Sequence, residues 1–260
     1  MTRFGVVLRP ELPPESVVEA ARAADSAGVD EVWLWEDCFF SGGIATAATV
    51  LASTDRVNVG IGVLPTPLRN VAATAMEVAT LARLHPGRLR VGLGHGVQSW
   101  MGQVGARVNS PLTLMREQMA ALTSLLAGET VTVQGRYVSL DNVRLDWPPS
   151  IQPPILVGAT GPKTLALSGE MSAGTILTSE TNPEQTRNAL DKIAGGPDHD
   201  LVVYLSCTTD SDSTVDNVRR WIDAGASTIV LEPAADRLDL SEIFARAVEL
   251  QPLFGIPQAR

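Results

Sequence analysis

Cysteine is scarce in this 260-residue chain: Cys38 and Cys207 stand far apart and match no metal-binding spacing. That excludes a cysteine-built metal centre and makes a reducing, cytoplasmic setting the simplest expectation. Long apolar runs are missing as well. No stretch approaches membrane length, and the chain reaches Arg9 and Pro10 after too few apolar residues for a signal peptide, so a soluble protein is expected. Positive charge is in short supply: the net charge is −9. Nucleic acid and anionic membrane surfaces would repel such a chain, which leaves a small molecule as the expected partner. Low-complexity and long charged tracts are also absent. What remains is 45% apolar and 19% charged, enough material for a packed core.

Hydrophobic period and punctuation alternate along the whole length as eight strand–helix pairs. Strands are predicted at residues 4–8, 31–36, 57–63, 89–93, 155–157, 174–178, 201–207 and 228–231. Helices follow at about 14–27, 43–52, 71–84, 111–127, 162–171, 183–193, 214–224 and 240–250. Residues 131–133 and 137–140, around Gln134, Gly135 and Arg136, read as a hairpin within an insertion at about 130–148. The rhythm predicts a single (β/α)8 TIM barrel over residues 1–260. An open doubly wound sheet is the alternative, but its glycine fingerprint would follow the first strand, where Arg9, Pro10 and Glu11 stand.

The densest signal lies in residues 154–178. The apolar strand 155–157 runs into Gly158, Ala159, Thr160 and Gly161, a loop with almost no side-chain bulk, and Pro162 opens a helix. Free N–H groups at such a helix start converge on an anion, and Lys163 adds charge. An ordinary βα turn that needs small residues only for packing shows the same pattern. Many phosphate-binding barrels use the loops after strands seven and eight, but here those loops carry Asp210 and Asp212, then Glu232 and Asp236. Acids oppose an anion, which returns the phosphate to residues 158–163.

In a barrel, catalysis sits at the C-terminal ends of strands. His85 and His199 precede strands and belong to the opposite face; His95, between Gly94 and Gly96 after the fourth strand, is a candidate site residue or a plain loop histidine. The second strand ends in Trp33, Leu34, Trp35, Glu36 and Asp37, and alternation puts Trp33, Trp35 and Asp37 on one side and Leu34 and Glu36 on the other. Consecutive carboxylates there are candidates for orienting substrate or handling a proton, with a role for at least one expected; the alternative is that one caps the following segment and the other is solvated. Gln98, Trp100 and Met101 either wall a planar ligand or pack ordinarily.

Five segments together carry a family resemblance: FGVVLRP from Phe4, AGVDEVWLWED from Ala27, DRVNVGIGVLPTPLRN from Asp55, ATLARLHPGRLRVGLGHG from Ala79, and GPKTLALSGE from Gly161. In order and spacing, over almost the whole chain, they resemble the bacterial luciferase-like superfamily, in its branch of coenzyme F420 (deazaflavin) oxidoreductases. The resemblance implies a barrel, usually dimeric, with a flavin-type ring at its C-terminal mouth. It implies a non-proline cis peptide at Gly62 and Val63 behind the tricycle, and cofactor phosphate on Gly158, Ala159, Thr160 and Gly161 with Thr178 nearby. Gly94, Gly96, Gln98, Pro162 and Lys163 complete the expected cofactor shell, and Asp37, Glu36 and His95 are the catalytic candidates. The cofactor's long tail is either gripped, with Arg69, Arg107 and Arg116 as candidates, or left in solvent.

The chain also departs from its kin. Many relatives end the second strand in Asp-His, where Glu36 and Asp37 stand here, and Val97 occupies the place of the glutamate used by sugar-phosphate dehydrogenases of the branch. Sugar-phosphate oxidation is therefore not expected. Hydride transfer between coenzyme F420 and a small organic substrate is the first reading. An FMN-dependent monooxygenase and a catalytically silent flavin-binding barrel are the others. No metal is implied.

Overall fold

A computed structural model describes residues 2–207, 212–236 and 239–254. Eight parallel strands close into a barrel: β1 (Arg3–Val7), β2 (Glu31–Leu34), β3 (Asn58–Pro65), β4 (Leu89–Gly94), β7 (Ile155–Gly158), β8 (Gly174–Leu177), β9 (Asp200–Cys207) and β10 (Thr228–Pro233). Around the ring the order is β1-β10-β9-β8-β7-β4-β3-β2, so each strand neighbours the next one in sequence and β1 closes on β10. The expected barrel is the observed fold. Two further strands, β5 (Val131–Gln134) and β6 (Ser139–Val143), form the expected antiparallel hairpin outside it.

Helices pack around the strands: α1 (Val17–Ala27), α2 (Gly43–Ser53), α3 (Val71–Leu84), α4 (Gln98–Gln103), α5 (Pro111–Leu126), α6 (Pro162–Met171), α7 (Pro183–Ile193), α8 (Val215–Asp223) and α9 (Ser241–Phe254). Local chemistry sets many of their ends. Gly28, at φ 89°, terminates α1 in the left-handed region, and Asn70 caps α3 by accepting from the Ala72 N–H. Asn182 and Gln185 form a reciprocal capping box at the start of α7. Two details differ from expectation. Residues 14–16 form a separate 3-10 turn before α1, and the short α4 interrupts what periodicity marks as a loop. At six residues, α4 is too brief for a 3.6-residue period to register.

Most apolar burial lies between the strands and the helices. Inside the barrel a smaller group packs, including Val7, Trp33, Leu156, Ile176, Val202 and Tyr204. Trp33 is fully buried there, and a Cβ at Gly60 or Gly5 would fall 2.3 or 2.6 Å from its ring. Both glycines exist to admit one indole. Below it, the N-terminal ends of four strands contribute charge: Arg90 pairs with Glu31 at 3.1 Å and with Asp200, while Arg3 pairs with Glu31 at 3.3 Å and with Asp200. Trp33 Nε1 donates to Glu31 at 2.8 Å. This buried cluster plugs the floor, so access is from the C-terminal mouth.

Candidate active site

A cavity of about 310 Å³ opens at that mouth, lined by Trp35, Asp37, Gly62, Val63, Trp100 and Tyr204 among others. Its floor comes from an irregularity in β3, where pairing with β4 shifts between Ile61 and Leu64 and the Gly62–Val63 peptide bond is cis. The expected bond is therefore present at the expected residues. Two hydrogen bonds hold the bulge: Tyr204 Oη donates to the Gly62 carbonyl at 3.0 Å, and the Glu36 N–H donates to the Val63 carbonyl at 3.2 Å.

The Val63 side chain then lies over glycines. A Cβ on Gly94, Gly158 or Gly92 would fall 2.3, 2.7 or 3.2 Å from its methyl groups. Gly94 and Gly158 are therefore small for the sake of Val63, which forms a shelf across the barrel. Real Cβ contacts that short would force the valine upward into the cavity.

Trp35, Glu36 and Asp37 lie beyond the end of β2 and all three line the cavity, so strand alternation does not separate the two acids; their hydrogen bonds do. Glu36 is occupied: its Oε2 accepts from the Gly43 N–H at the start of α2 and from Arg69, each at 2.7 Å. Asp37 lies half-buried on the cavity side, where its one hydrogen-bond donor among the described residues is Trp35 Nε1 at 2.9 Å. Burial pushes the Asp37 carboxyl up, Trp35 pulls against that shift, and the Glu11 charge adds to it. The Glu36 carboxylate is thus bound within the fold, while Asp37 has one oxygen with no hydrogen bond among the described residues.

His95 takes neither place. Its Nε2 lies 3.0 Å from Thr164 Oγ1 in the first turn of α6, so it braces the cradle helix from behind instead of lining the cavity. Burial pushes its pKa down, favouring the neutral ring. Nearby, Gln98 donates to the carbonyls of His95 and Gly96, and Met101 is fully buried beneath Gly96. Of the suggested wall, Trp100 reaches the cavity.

The cradle divides as well. Ala159 spends its N–H on the Ile176 carbonyl, and Gly161 begins α6 with no side-chain cap. The N–H groups of Thr160, Gly161 and Lys163 have no partner among the described residues. A Cβ at Gly161 would meet nothing within 4 Å. An open pocket of polarity therefore faces away from the protein at the start of a ten-residue helix, as a phosphate requires. Thr178 follows β8 and lines the cavity, completing the link between cradle and mouth.

At the opposite rim, Glu232 pairs with Arg9, which also pairs with Glu11 at 2.9 Å and stacks 5.4 Å above the Trp35 ring. The acid is neutralised, so sign alone is a weaker argument against that rim than the sequence implies; Asp210 lies outside the described residues. Sequence reasoning missed Arg9 and Tyr204. Tyr204 has a legible signal: the one aromatic of β9, set among the aliphatic residues Leu201, Val202, Val203 and Leu205. The expected tail-binding arginines are spent elsewhere, Arg69 on Glu36 and Glu77, Arg116 on Glu170, and Arg107 on the Gln98 carbonyl.

The profile of the luciferase-like monooxygenase family matches residues 1–247. The chain belongs to that family. It is 32% identical over 243 residues to a 5,10-methylenetetrahydromethanopterin reductase of Methanolobus tindarius, covering 88% of this chain and 74% of the relative. An F420-dependent glucose-6-phosphate dehydrogenase of Beutenbergia cavernae is 30% identical over 248 residues, covering 85% and 73%. In fold, the chain superposes on the coenzyme F420 dependent tetrahydromethanopterin reductase of Methanopyrus kandleri with a TM-score of 0.82 at 17% identity, covering 97% of this chain and 99% of that one. Among the described residues no helix is long and apolar enough to cross a membrane, and no group of three or more side chains is placed to hold a metal ion.

Proposed function

We propose that this protein is an oxidoreductase that moves a hydride between coenzyme F420 and a small organic substrate. The observation that carries the reading is the closeness of Val63 and Gly158: a Cβ at Gly158 would lie 2.7 Å from a Val63 methyl, so the β3 bulge and the strand leading to the cradle are near enough for one flavin-type ligand to reach both. The curated relatives that bear F420 in their names support the choice of cofactor.

When bound, the deazaflavin supplies a ring carbon that gives or takes the hydride. The chain does the rest. Free N–H groups at the start of α6, with Lys163, would hold the phosphate, and Val63 would support the ring from the floor of the cavity, leaving the open mouth to substrate. Trp35 and Trp100 give that side apolar walls and keep water sparse. Asp37 handles the proton: hydride arriving at a carbonyl-type or imine-type carbon leaves negative charge on the attached heteroatom, and a carboxyl with a raised pKa donates there. In the oxidative direction the same oxygen accepts.

The assembly is a homodimer. Met76, Leu84 and Trp147 are 61%, 68% and 71% exposed along one groove between α3 and residues 143–147. That is an apolar face of the kind a second copy covers. Trp147→Glu is expected to yield a monomer in sedimentation.

Denaturing the purified protein from a host that makes both cofactors tests the main reading. Release of a deazaflavin by absorbance and mass supports it, while FMN points to oxygen chemistry instead. Lys163→Glu is expected to weaken deazaflavin binding about tenfold with an unchanged melting temperature. Unaltered affinity would move the phosphate elsewhere.

A further inference from the structure

The chain has two lysines in 260 residues, Lys163 and Lys192. One begins the cradle helix, and the other lies in the last turn of the neighbouring α7. Between those helices runs a recess of about 330 Å³ that includes Thr160 and Thr178 and continues to Asn188 and Lys192. It therefore starts where the phosphate cradle ends.

The recess is lined by groups that can bind but are not used. No hydrogen bond engages the hydroxyls of Thr160, Thr178 and Thr181 or the amide of Asn188 among the described residues, and neither lysine is in an ion pair. Gln185 accepts from the Asn182 N–H through its Oε1, which leaves its amide N–H groups to donate outward. Glu180 is the acid on this wall. Several hydroxyl and amide donors, one ammonium and one carboxylate do not suit a bare polyanion. They suit a short chain that alternates amide N–H groups with carboxylates, because Glu180 can accept from an amide while Lys192 takes a carboxylate.

Resting on the F420 reading above, we propose that this recess binds the acidic, amide-linked appendage that extends beyond the cofactor's phosphate. Such a site would distinguish the cofactor from FMN, which ends at its phosphate. Arg69, Arg107 and Arg116 are already paired or hydrogen-bonded elsewhere in the fold. Lys192 also complements the carbonyl end of α7, but that role is blind to what the cofactor carries.

Binding, read by deazaflavin fluorescence at fixed ionic strength, separates the possibilities. The probes are oxidised coenzyme F420 with a glutamyl tail and the tail-less deazaflavin ending at its ribityl phosphate. The wild-type protein is expected to bind the tailed form about tenfold more tightly, with a steeper loss of affinity in salt. Lys192→Glu should erase that preference and leave tail-less affinity unchanged; Lys192→Gln should halve the effect or more if the glutamate variant folds poorly. Equal affinity for both probes, or a preference that survives loss of Lys192, overturns the inference and leaves the F420 reading standing. Failure to bind either probe overturns both.

Discussion

Tyr204 on β9 and Gly62 on β3 face each other across the barrel, the phenol donating to the glycine carbonyl at 3.0 Å while a Cβ at Gly62 would lie 2.3 Å from the same oxygen. The tyrosine hydroxyl thus demands glycine where it bonds. Tyr204→Phe leaves a part-buried carbonyl at the cavity floor without its donor and should cost about 1 kcal/mol in urea unfolding. Gly62→Ala should cost more, since the added carbon displaces the hydroxyl itself. Equal unfolding midpoints for wild type and Tyr204→Phe would show that the bond contributes nothing.

Two cradle glycines should behave oppositely. Gly158→Ala places a carbon 2.7 Å from a Val63 methyl and is expected to lower stability, with partial recovery in the Gly158→Ala, Val63→Ala double variant. Gly161→Ala meets nothing within 4 Å at an ordinary φ of −86°, so its melting temperature should hold while phosphate affinity falls. Thermal melts and a cofactor titration on the three variants decide the matter. If both single variants lose stability alike, packing explains both glycines.

The floor of the barrel offers a sharper stability test. Glu31 is 2% exposed and takes charge from Arg3 and Arg90 as well as the Trp33 N–H. Glu31→Gln leaves Arg90 buried with one carboxylate fewer, and breaking such a pair typically costs about 3–5 kcal/mol. A chemical denaturation curve unchanged within error would mean that Asp200 alone suffices.

Asp37 predicts a pH signature. Because burial raises its pKa, the protonated form persists to higher pH than in an ordinary aspartate, and a reaction that needs its proton should slow as pH rises through that value. In the oxidative direction the sign reverses, with activity lost as pH falls. Asp37→Asn should remove the limb in both directions and lower turnover about a hundredfold or more. Glu36→Gln should leave the limb in place, since its carboxylate is bound by Arg69 and the Gly43 N–H. A limb that follows Glu36 instead would reassign the proton.

Much of this was legible in residue order. Alternating runs of β-branched strand and amphipathic helix forecast the barrel because each period matches one element's geometry, whereas the period of two could not sort Glu36 from Asp37, because β2 ends at Leu34 and both acids line the cavity. Boundaries slipped where no period operates, as in the short α4 and the 3-10 turn at residues 14–16. The partner of His95 was not legible, because its neighbours in sequence are Gly94 and Gly96 whereas its neighbour in space is Thr164.

The sequence by itself determined the fold class, because propensity, capping and hydrophobic period act within a few residues of chain, and it carried the family in the order of five segments and the small-residue turn at 158–161. Closure of the barrel decided the rest. Only then does Val63 meet Gly158 from 95 positions away, Tyr204 find the Gly62 carbonyl 142 positions away, and Arg9 reach Glu232 across 223. Contacts between residues that far apart leave no local pattern, since each depends on where separate strands come to rest in the ring.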